Sequence, residues 1–149
     1  GLTWRSWLSP EKQRTKCEKT GLYKTKVMDD YPELQKIFRE FANLYFPKHV
    51  WEQCQMNRNF PCPKHTDSSN ISTSSILCCF GDYEGGLTCV DYGMAIRKYD
   101  GREAPVEFDG KRYTHWVEPI TSGTRYSLVF FSNKSVRKMI NENKNKLLL

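Results

Sequence analysis

His65, Thr66 and Asp67, followed downstream by His115 and then by Arg125, Tyr126 and Ser127, are the residues of this chain whose types and spacing suit them to chemistry. Two imidazoles and one carboxylate form the ligand set that holds non-haem Fe(II) while leaving open positions for O2 and a co-substrate. On an extended segment, side chains at i and i+2 point to the same side, so His65 and Asp67 can grip one ion together. The same rule pairs Arg125 with Ser127. A guanidinium beside a hydroxyl is a receptor for a carboxylate, because the planar fork donates two hydrogen bonds and the hydroxyl one more.

Plainer readings compete for single members of this set. A chain with three histidines can contain one His-x-Asp by chance, and a lone His on a strand is more often a hydrogen-bonded structural residue than a ligand. Cys62-Pro63-Lys64-His65 has the Cys-x-x-His spacing of a zinc half-site, but no second Cys-x-x-Cys or Cys-x-x-His accompanies it. His49, in Pro47-Lys48-His49-Val50, has no partners of this kind and reads as a loop residue. The joint pattern outweighs these readings, because each group sits where a strand is expected.

The order His-x-Asp, distal His, Arg-x-Ser resembles the 2-oxoglutarate and Fe(II)-dependent dioxygenases over about residues 51 to 132, and all five positions are filled. The resemblance implies a mainly β fold with flanking helices, the double-stranded β-helix or cupin-like jelly roll. It implies His65, Asp67 and His115 as metal ligands, and Arg125 with Ser127 as the clamp on the distal carboxylate of 2-oxoglutarate. The cofactor is then Fe(II), with 2-oxoglutarate and O2 consumed to hydroxylate an unactivated C–H bond.

Gln55 to Asn59, His65-x-Asp67 and Gly123 to Phe131 look most like the nucleic-acid branch of that superfamily, nearest the TET and base-J-binding-protein type. The implied substrate is the 5-methyl group of thymine or 5-methylcytosine in DNA. Asn59 stands where repair demethylases of the AlkB type carry an aromatic residue, which points away from that subgroup. A methylated base must leave the stack to reach buried iron. Asn57, Tyr92, Tyr99, Tyr113 and Trp116 are the candidates to receive it, and the lysines of 12 to 26 and 134 to 146 the candidates to track phosphates. The same clamp serves hydroxylation of a prolyl or lysyl side chain or of a small molecule. A non-catalytic jelly-roll binding module is the remaining alternative.

The elements that must position these groups follow from periodicity. Pro32 opens a helix in which Leu34, Ile37, Phe38, Phe41 and Leu44 recur at helical spacing until Pro47, an apolar face expected on the outside of a β core. From Val50 the period changes to short strands: 51 to 57, 64 to 67 with the first two ligands, and 75 to 80. Further strands are expected at 87 to 90, at 113 to 117 with His115, and at 124 to 132. Gly81 to Gly86 and Pro119 to Gly123 read as turns, and 91 to 112 as a hairpin or lid beside the site. In the last strand Arg125, Ser127, Val129 and Phe131 share one face and Tyr126, Leu128 and Phe130 the other. Residues 23 to 27 hint at an edge strand, and 135 to 147 at a terminal basic helix bearing Val136, Met139 and Ile140.

At 149 residues, 38% hydrophobic and 13% aromatic, the chain is expected to be one catalytic domain, 1–149, with a core at about 51–132. A basic segment and helix at 1–50 precede that core, and a basic helix at 133–149 follows it. Residues 1 to 26 carry a net charge of +5 and 133 to 149 of +4, which leaves −3 between them. Basic ends around a weakly acidic middle suit a polyanion partner, and equally a lysine-solvated surface. No run reaches the length of a membrane span, and no signal-peptide pattern opens the chain. Six cysteines, two of them adjacent at 78 and 79, lack a secreted disulfide framework. These features and a site for Fe(II) favour a reducing intracellular compartment, nucleus or cytoplasm. Oligomeric state is not legible.

Overall fold

In the computed structural model, which describes residues 7–8, 15–16, 23–24 and 26–142, antiparallel strands dominate. Three two-residue strands, β1 (Trp7–Leu8), β2 (Thr15–Lys16) and β3 (Tyr23–Lys24), pair in the order β1-β3-β2. A short helix α1 (Lys26–Asp30) and the longer α2 (Pro32–Tyr45) follow. The remaining strands are β4 (Gln53–Arg58), β5 (Ser75–Phe80), β6 (Tyr83–Gly85), β7 (Thr88–Asp91), β8 (Ile96–Tyr99), β9 (Val106–Phe108), β10 (Thr114–Val117), β11 (Ile120–Gly123) and β12 (Tyr126–Phe131). Helix α3 (Lys134–Glu142) comes last.

A four-stranded sheet, β4-β12-β5-β9, faces a three-stranded sheet, β10-β7-β8, and a two-stranded ribbon, β11-β6. This is the jelly-roll arrangement expected from the short strands and glycine turns. β12 lies between two partners, with Ser127 opposite Asn57 on β4 and Cys79 on β5. A strand paired on both edges has its side-chain faces settled by alternation. Phe130 points outward into a cluster with Phe38, Ala42, Cys54 and Val136, where it meets Phe38 edge-on at 6.3 Å. Its neighbours at 127, 129 and 131 point to the interior between the sheets. There a second cluster of Leu77, Cys79, Tyr83, Val90, Val106 and Phe108 joins β5, β6, β7 and β9.

The α2 boundaries match the expected helix, but its buried stripe is narrower. Phe38 and Ala42 are buried, with Leu34 and Phe41 packed beside them, whereas Ile37 is 54% and Leu44 72% exposed. Positions 37 and 44 are two turns apart on the flank of the helix, and the sheet contacts only the line through 34, 38, 41 and 42. Three strand expectations also change. Tyr83–Gly85 and Ile120–Gly123, read as turns for their glycine and proline, pair with each other as β6 and β11, with a register shift between Ile120 and Ser122. Residues 64 to 67 form no regular strand; His65 makes an isolated bridge to His115. The 91 to 112 segment, expected as a hairpin or lid, takes the hairpin form and adds a further strand: β8 forms a hairpin with β7, and β9 joins the edge of β5. Helix α3 begins near the expected place, with Val136 buried and Arg137 ion-paired to Glu52. Its continuation to 147 and the side chains of Met139 and Ile140 lie outside the described residues, as do Lys12, Lys19, Lys144 and Lys146 of the basic ends.

The described cysteines, 54, 62, 78, 79 and 89, are all free thiols. Among the described residues no helix is long and apolar enough to cross a membrane.

Candidate metal centre and carboxylate clamp

The two ligand segments are joined by main chain. His65 N–H donates to the His115 carbonyl at 3.1 Å and His115 N–H to the His65 carbonyl at 3.0 Å, while Asp67 N–H donates to Gly110 at 2.8 Å. His115 sits on β10 opposite Val90, and His65 and Asp67 lie along its other edge. These bonds do what a regular strand was expected to do: they turn the side chains at 65 and 67 toward the ring of His115.

Each imidazole is oriented by a carbonyl. Nδ1 of His65 lies 2.7 Å from the Pro63 oxygen, and Nδ1 of His115 lies 2.9 Å from the Tyr113 oxygen. A carbonyl only accepts, so both Nδ1 atoms carry the proton and both Nε2 atoms are left for a ligand. Those Nε2 atoms converge on the carboxylate: His65 Nε2 is 3.4 Å from Asp67 Oδ1, and His115 Nε2 is 3.3 Å from Oδ2. All three donor atoms lie within 4.8 Å of one another. Gly110 completes the cradle by having no side chain, since a Cβ there would lie 2.7 Å from Asp67 Oδ2 and 3.3 Å from His115 Cε1.

This set fits a divalent first-row ion. Donors bound at about 2.0–2.2 Å sit roughly 3 Å apart; here each Nε2 lies 3.3–3.4 Å from one Asp67 oxygen and the whole set spans no more than 4.8 Å, and two imidazoles with one carboxylate suit Fe(II) with open positions. Burial of His115 works against its charged form, but hydrogen bonding to Asp67 and to the Tyr113 carbonyl, with the Asp67 charge, leaves its pKa raised. Cys62 Sγ lies 3.4 Å from His65 Nδ1, but that nitrogen already faces Pro63 O, and Nε2 faces Asp67. Burial and then the Asp67 charge push the Cys62 thiol up. Among the described residues the cluster with metal-ligand geometry is His65, Asp67 and His115, without Cys62.

A cavity of about 520 Å³ opens from this cluster between the sheets. Ser127, Val129 and Phe131 line one wall, Asn57, Gln55 and Gln53 extend it along β4, and Arg125 and Thr88 also line the cavity. Arg125 is 2% exposed, yet among the described residues it makes no ion pair. One terminal nitrogen contacts Cys79 Sγ at 3.2 Å and Thr88 Oγ1 at 3.3 Å, and Nε has no partner. Ser127, also 2% exposed, receives a 3.5 Å contact from Asn57 Nδ2. A buried guanidinium with unfilled donors is costly unless an anion meets it. The pair could receive a carboxylate.

Asn59 positions that arginine. Its backbone is left-handed, at φ 45°, a conformation asparagine tolerates better than most residues, and its side-chain oxygen accepts the Arg125 N–H at 2.7 Å. The Asn59 N–H donates in turn to the Arg125 carbonyl at 2.8 Å.

The five metal and clamp positions read from sequence thus share one cavity. Of the substrate candidates, Asn57 and Trp116 line it, and Lys64 stands over the Trp116 ring at 4.5 Å. Tyr92, Tyr99 and Tyr113 do not: Tyr92 and Tyr113 pack ring on ring at 4.7 Å, and the Tyr92 and Tyr99 hydroxyls meet at 3.3 Å. Sequence reasoning passed over Gly110, Thr88, Cys79 and Asn70, because no local motif marks them. Asn70, 6% exposed, was three residues from Asp67 and a polar residue in reach of the ligand pair, which was the one signal at hand.

Solved structures share this architecture. NgTET1 in complex with 5mC DNA superposes with a TM-score of 0.68 at 20% identity, over 89% of this chain and 61% of that one. The chain has the fold of the 2-oxoglutarate and Fe(II) oxygenases. A 2OG-Fe(II) oxygenase family oxidoreductase from Burkholderia pseudomallei matches at 0.55 and 20%, over 87% of this chain and 64% of the other. A Phytophthora capsici prolyl 4-hydroxylase matches at 0.50 and 15%, over 74% and 45%. This chain spans less than two thirds of each of these structures. No family model matches it, and no curated protein sequence matches significantly.

Proposed function

We propose that this protein is an Fe(II)- and 2-oxoglutarate-dependent oxygenase that hydroxylates the 5-methyl group of a pyrimidine in DNA. The observation that carries the catalytic part is the pairing, in one cavity, of a His-Asp-His cluster with both Nδ1 atoms already engaged and a buried arginine lacking an anion. In this reading His65 and His115 hold the metal through Nε2 and Asp67 through its carboxylate. Arg125, Ser127 and Thr88 hold the distal carboxylate of 2-oxoglutarate. Bound Fe(II) with 2-oxoglutarate supplies the oxidising power for O2-dependent C–H hydroxylation.

The chain's own residues then orient and protect. Leu77, Phe108 and Val129 give the cavity an apolar lining that limits water near the reacting centre. Asn57, Gln55 and Gln53 form an amide row suited to the hydrogen-bonding edge of a heterocycle, and Trp116 and Phe131 offer aromatic faces. The nucleic-acid part of the proposal is supported by the NgTET1 likeness and by the match of these amides and rings to a flipped base. Hydroxylation of a prolyl side chain is the second reading, favoured by the Phytophthora likeness.

The test is succinate formation by anaerobically Fe(II)-loaded protein given O2 and 2-oxoglutarate, with 5-methylcytosine duplex, thymine duplex or a proline-rich peptide. DNA-stimulated succinate that disappears in Asp67→Ala supports the reading, peptide stimulation moves the substrate to protein, and absence of succinate in all arms refutes the oxygenase assignment.

A further inference from the structure

The hairpin between β7 and β8 ends in a side chain with nothing around it. Met94 is 99% exposed, and its neighbour Ile96 is 52% exposed. Single exposed apolar residues are ordinary on protein surfaces. What sets this one apart is its support, its place and its surroundings.

The support is rigid. Tyr92 N–H donates to the Ala95 carbonyl at 3.0 Å across the turn, and Asp91 Oδ1 accepts from Gly93 N–H at 2.8 Å. Behind the turn, Tyr92 packs against Tyr113 with the rings tilted by 60° and meets Tyr99 hydroxyl to hydroxyl. The three tyrosines thus brace the hairpin from inside.

Its place is the end of the β10-β7-β8 sheet that carries His115 and lies beside Gly110, just beyond the residues that line the cavity. Asp91, the last residue of β7, pairs with Thr114, the first of β10, and the next pair along is Val90 with His115. Met94 is four residues past Val90, so its Cα lies at most about 14 Å from that of the residue opposite His115. The β9–β10 turn ends the same sheet, where Gly110 touches the metal cluster.

The surroundings are cationic. Arg97 and Arg112 are exposed and without ion pairs among the described residues, Arg112 lying over the Tyr113 ring at 5.2 Å. The acidic groups of this rim are turned onto their own backbone: Asp91 onto Gly93, and Asp109 onto the N–H groups of Lys111 and Arg112 at 3.1 Å. A single slender apolar tip among unpaired cations is poorly suited to a protein interface, which needs a contiguous apolar centre. It is well suited to duplex DNA, whose phosphates meet the cations and whose base steps admit an apolar wedge.

We propose that Met94 enters the base stack of duplex DNA beside the target nucleotide and occupies the gap left when that base swings into the cavity. The inference rests on the nucleobase reading and adds to it a duplex-specific part that takes no role in holding metal or 2-oxoglutarate.

The test uses a duplex with 2-aminopurine next to 5-methylcytosine, the matching single strand, and the Met94→Ala and Met94→Leu variants. Wild-type protein should raise 2-aminopurine fluorescence on the duplex. Met94→Ala should lose about tenfold or more in duplex affinity and turnover, since unstacking a step costs a few kcal/mol, and Met94→Leu should retain most of both. Single-strand turnover and stabilisation by 2-oxoglutarate should be the same in all three proteins. Equal duplex behaviour of Met94→Ala and wild type overturns the wedge alone, as does an equal loss on single strands. A wild-type protein that is stabilised by 2-oxoglutarate but gives no response to either DNA overturns the nucleobase reading and the wedge with it.

Discussion

Replacing Arg125 by methionine separates a ligand-binding arginine from a structural one, because the two roles predict opposite changes in stability. The guanidinium is almost wholly buried, its Nε is unpartnered among the described residues, one terminal nitrogen contacts Cys79 and Thr88, and its carbon lies 5.9 Å from the Tyr83 ring centroid. Those neutral acceptors are worth about 1 kcal/mol each. The cost of burying a cation without a counter-charge is several kcal/mol and is removed with it. Arg125→Met should therefore leave the unfolding free energy of the ligand-free protein unchanged or raise it. Binding should change in the other direction. Two charge-assisted hydrogen bonds to a carboxylate, at about 1.5–3 kcal/mol each, correspond to a loss of roughly 10²- to 10⁴-fold in affinity for 2-oxoglutarate. The assay is urea unfolding with and without the co-substrate. At a hundredfold excess over Kd the wild type should gain about 2.7 kcal/mol, and the variant at the same concentration almost nothing. A variant destabilised by about 3–5 kcal/mol that still binds 2-oxoglutarate would refute the assignment and make Arg125 part of the scaffold.

Gly110→Ala should weaken Co(II) or Fe(II) binding by about tenfold or more, since the new methyl would press on the Asp67 carboxylate and the His115 ring; unchanged affinity in an anaerobic metal titration argues against the cradle. Because the folded-state pKa of His115 is raised, its protonation stabilises the metal-free protein below the ordinary histidine value of about 6.5, and that contribution disappears as pH rises through the folded value. Metal must displace the same proton, so metal affinity should climb with pH across this window, and a flat pH dependence of Kd would contradict the assignment. Phe130→Ala should cost about 3–5 kcal/mol of unfolding free energy, because the ring is fully buried among Phe38, Phe41, Phe46 and Trp51; a loss under 1 kcal/mol by chemical denaturation would mean that the outer cluster is not packed as described.

What could be read from sequence was what period and spacing encode. Alternation on β12 put Ser127, Val129 and Phe131 on one face and Phe130 on the other, and pairing on both edges of that strand makes the first the cavity side and the second the outer core. The i, i+2 relation of His65 and Asp67 was legible, but what holds them was not, since the bridge to His115 and the Asp67 bond to Gly110 join residues some fifty positions apart. Thr88, Cys79 and Gly110 are of the same kind: each matters through a neighbour supplied by another strand. Tyr83–Gly85 was hidden because glycine and acidic residues around it mimic a turn, while its strand character comes from pairing with β11. Ile37 and Leu44 fit the helical period but not the width of the sheet surface α2 covers. Tyr92, Tyr99 and Tyr113 were chosen for aromaticity near the mouth, and their rings are spent on one another.

The bridge between His65 and His115 is made entirely of backbone groups, as is the bond from Asp67 to Gly110. None of these bonds depends on which side chains stand at 65, 67 and 115. Side-chain substitutions at these three positions should therefore leave the 65–67 segment fastened to β10 and the cavity beside it in place.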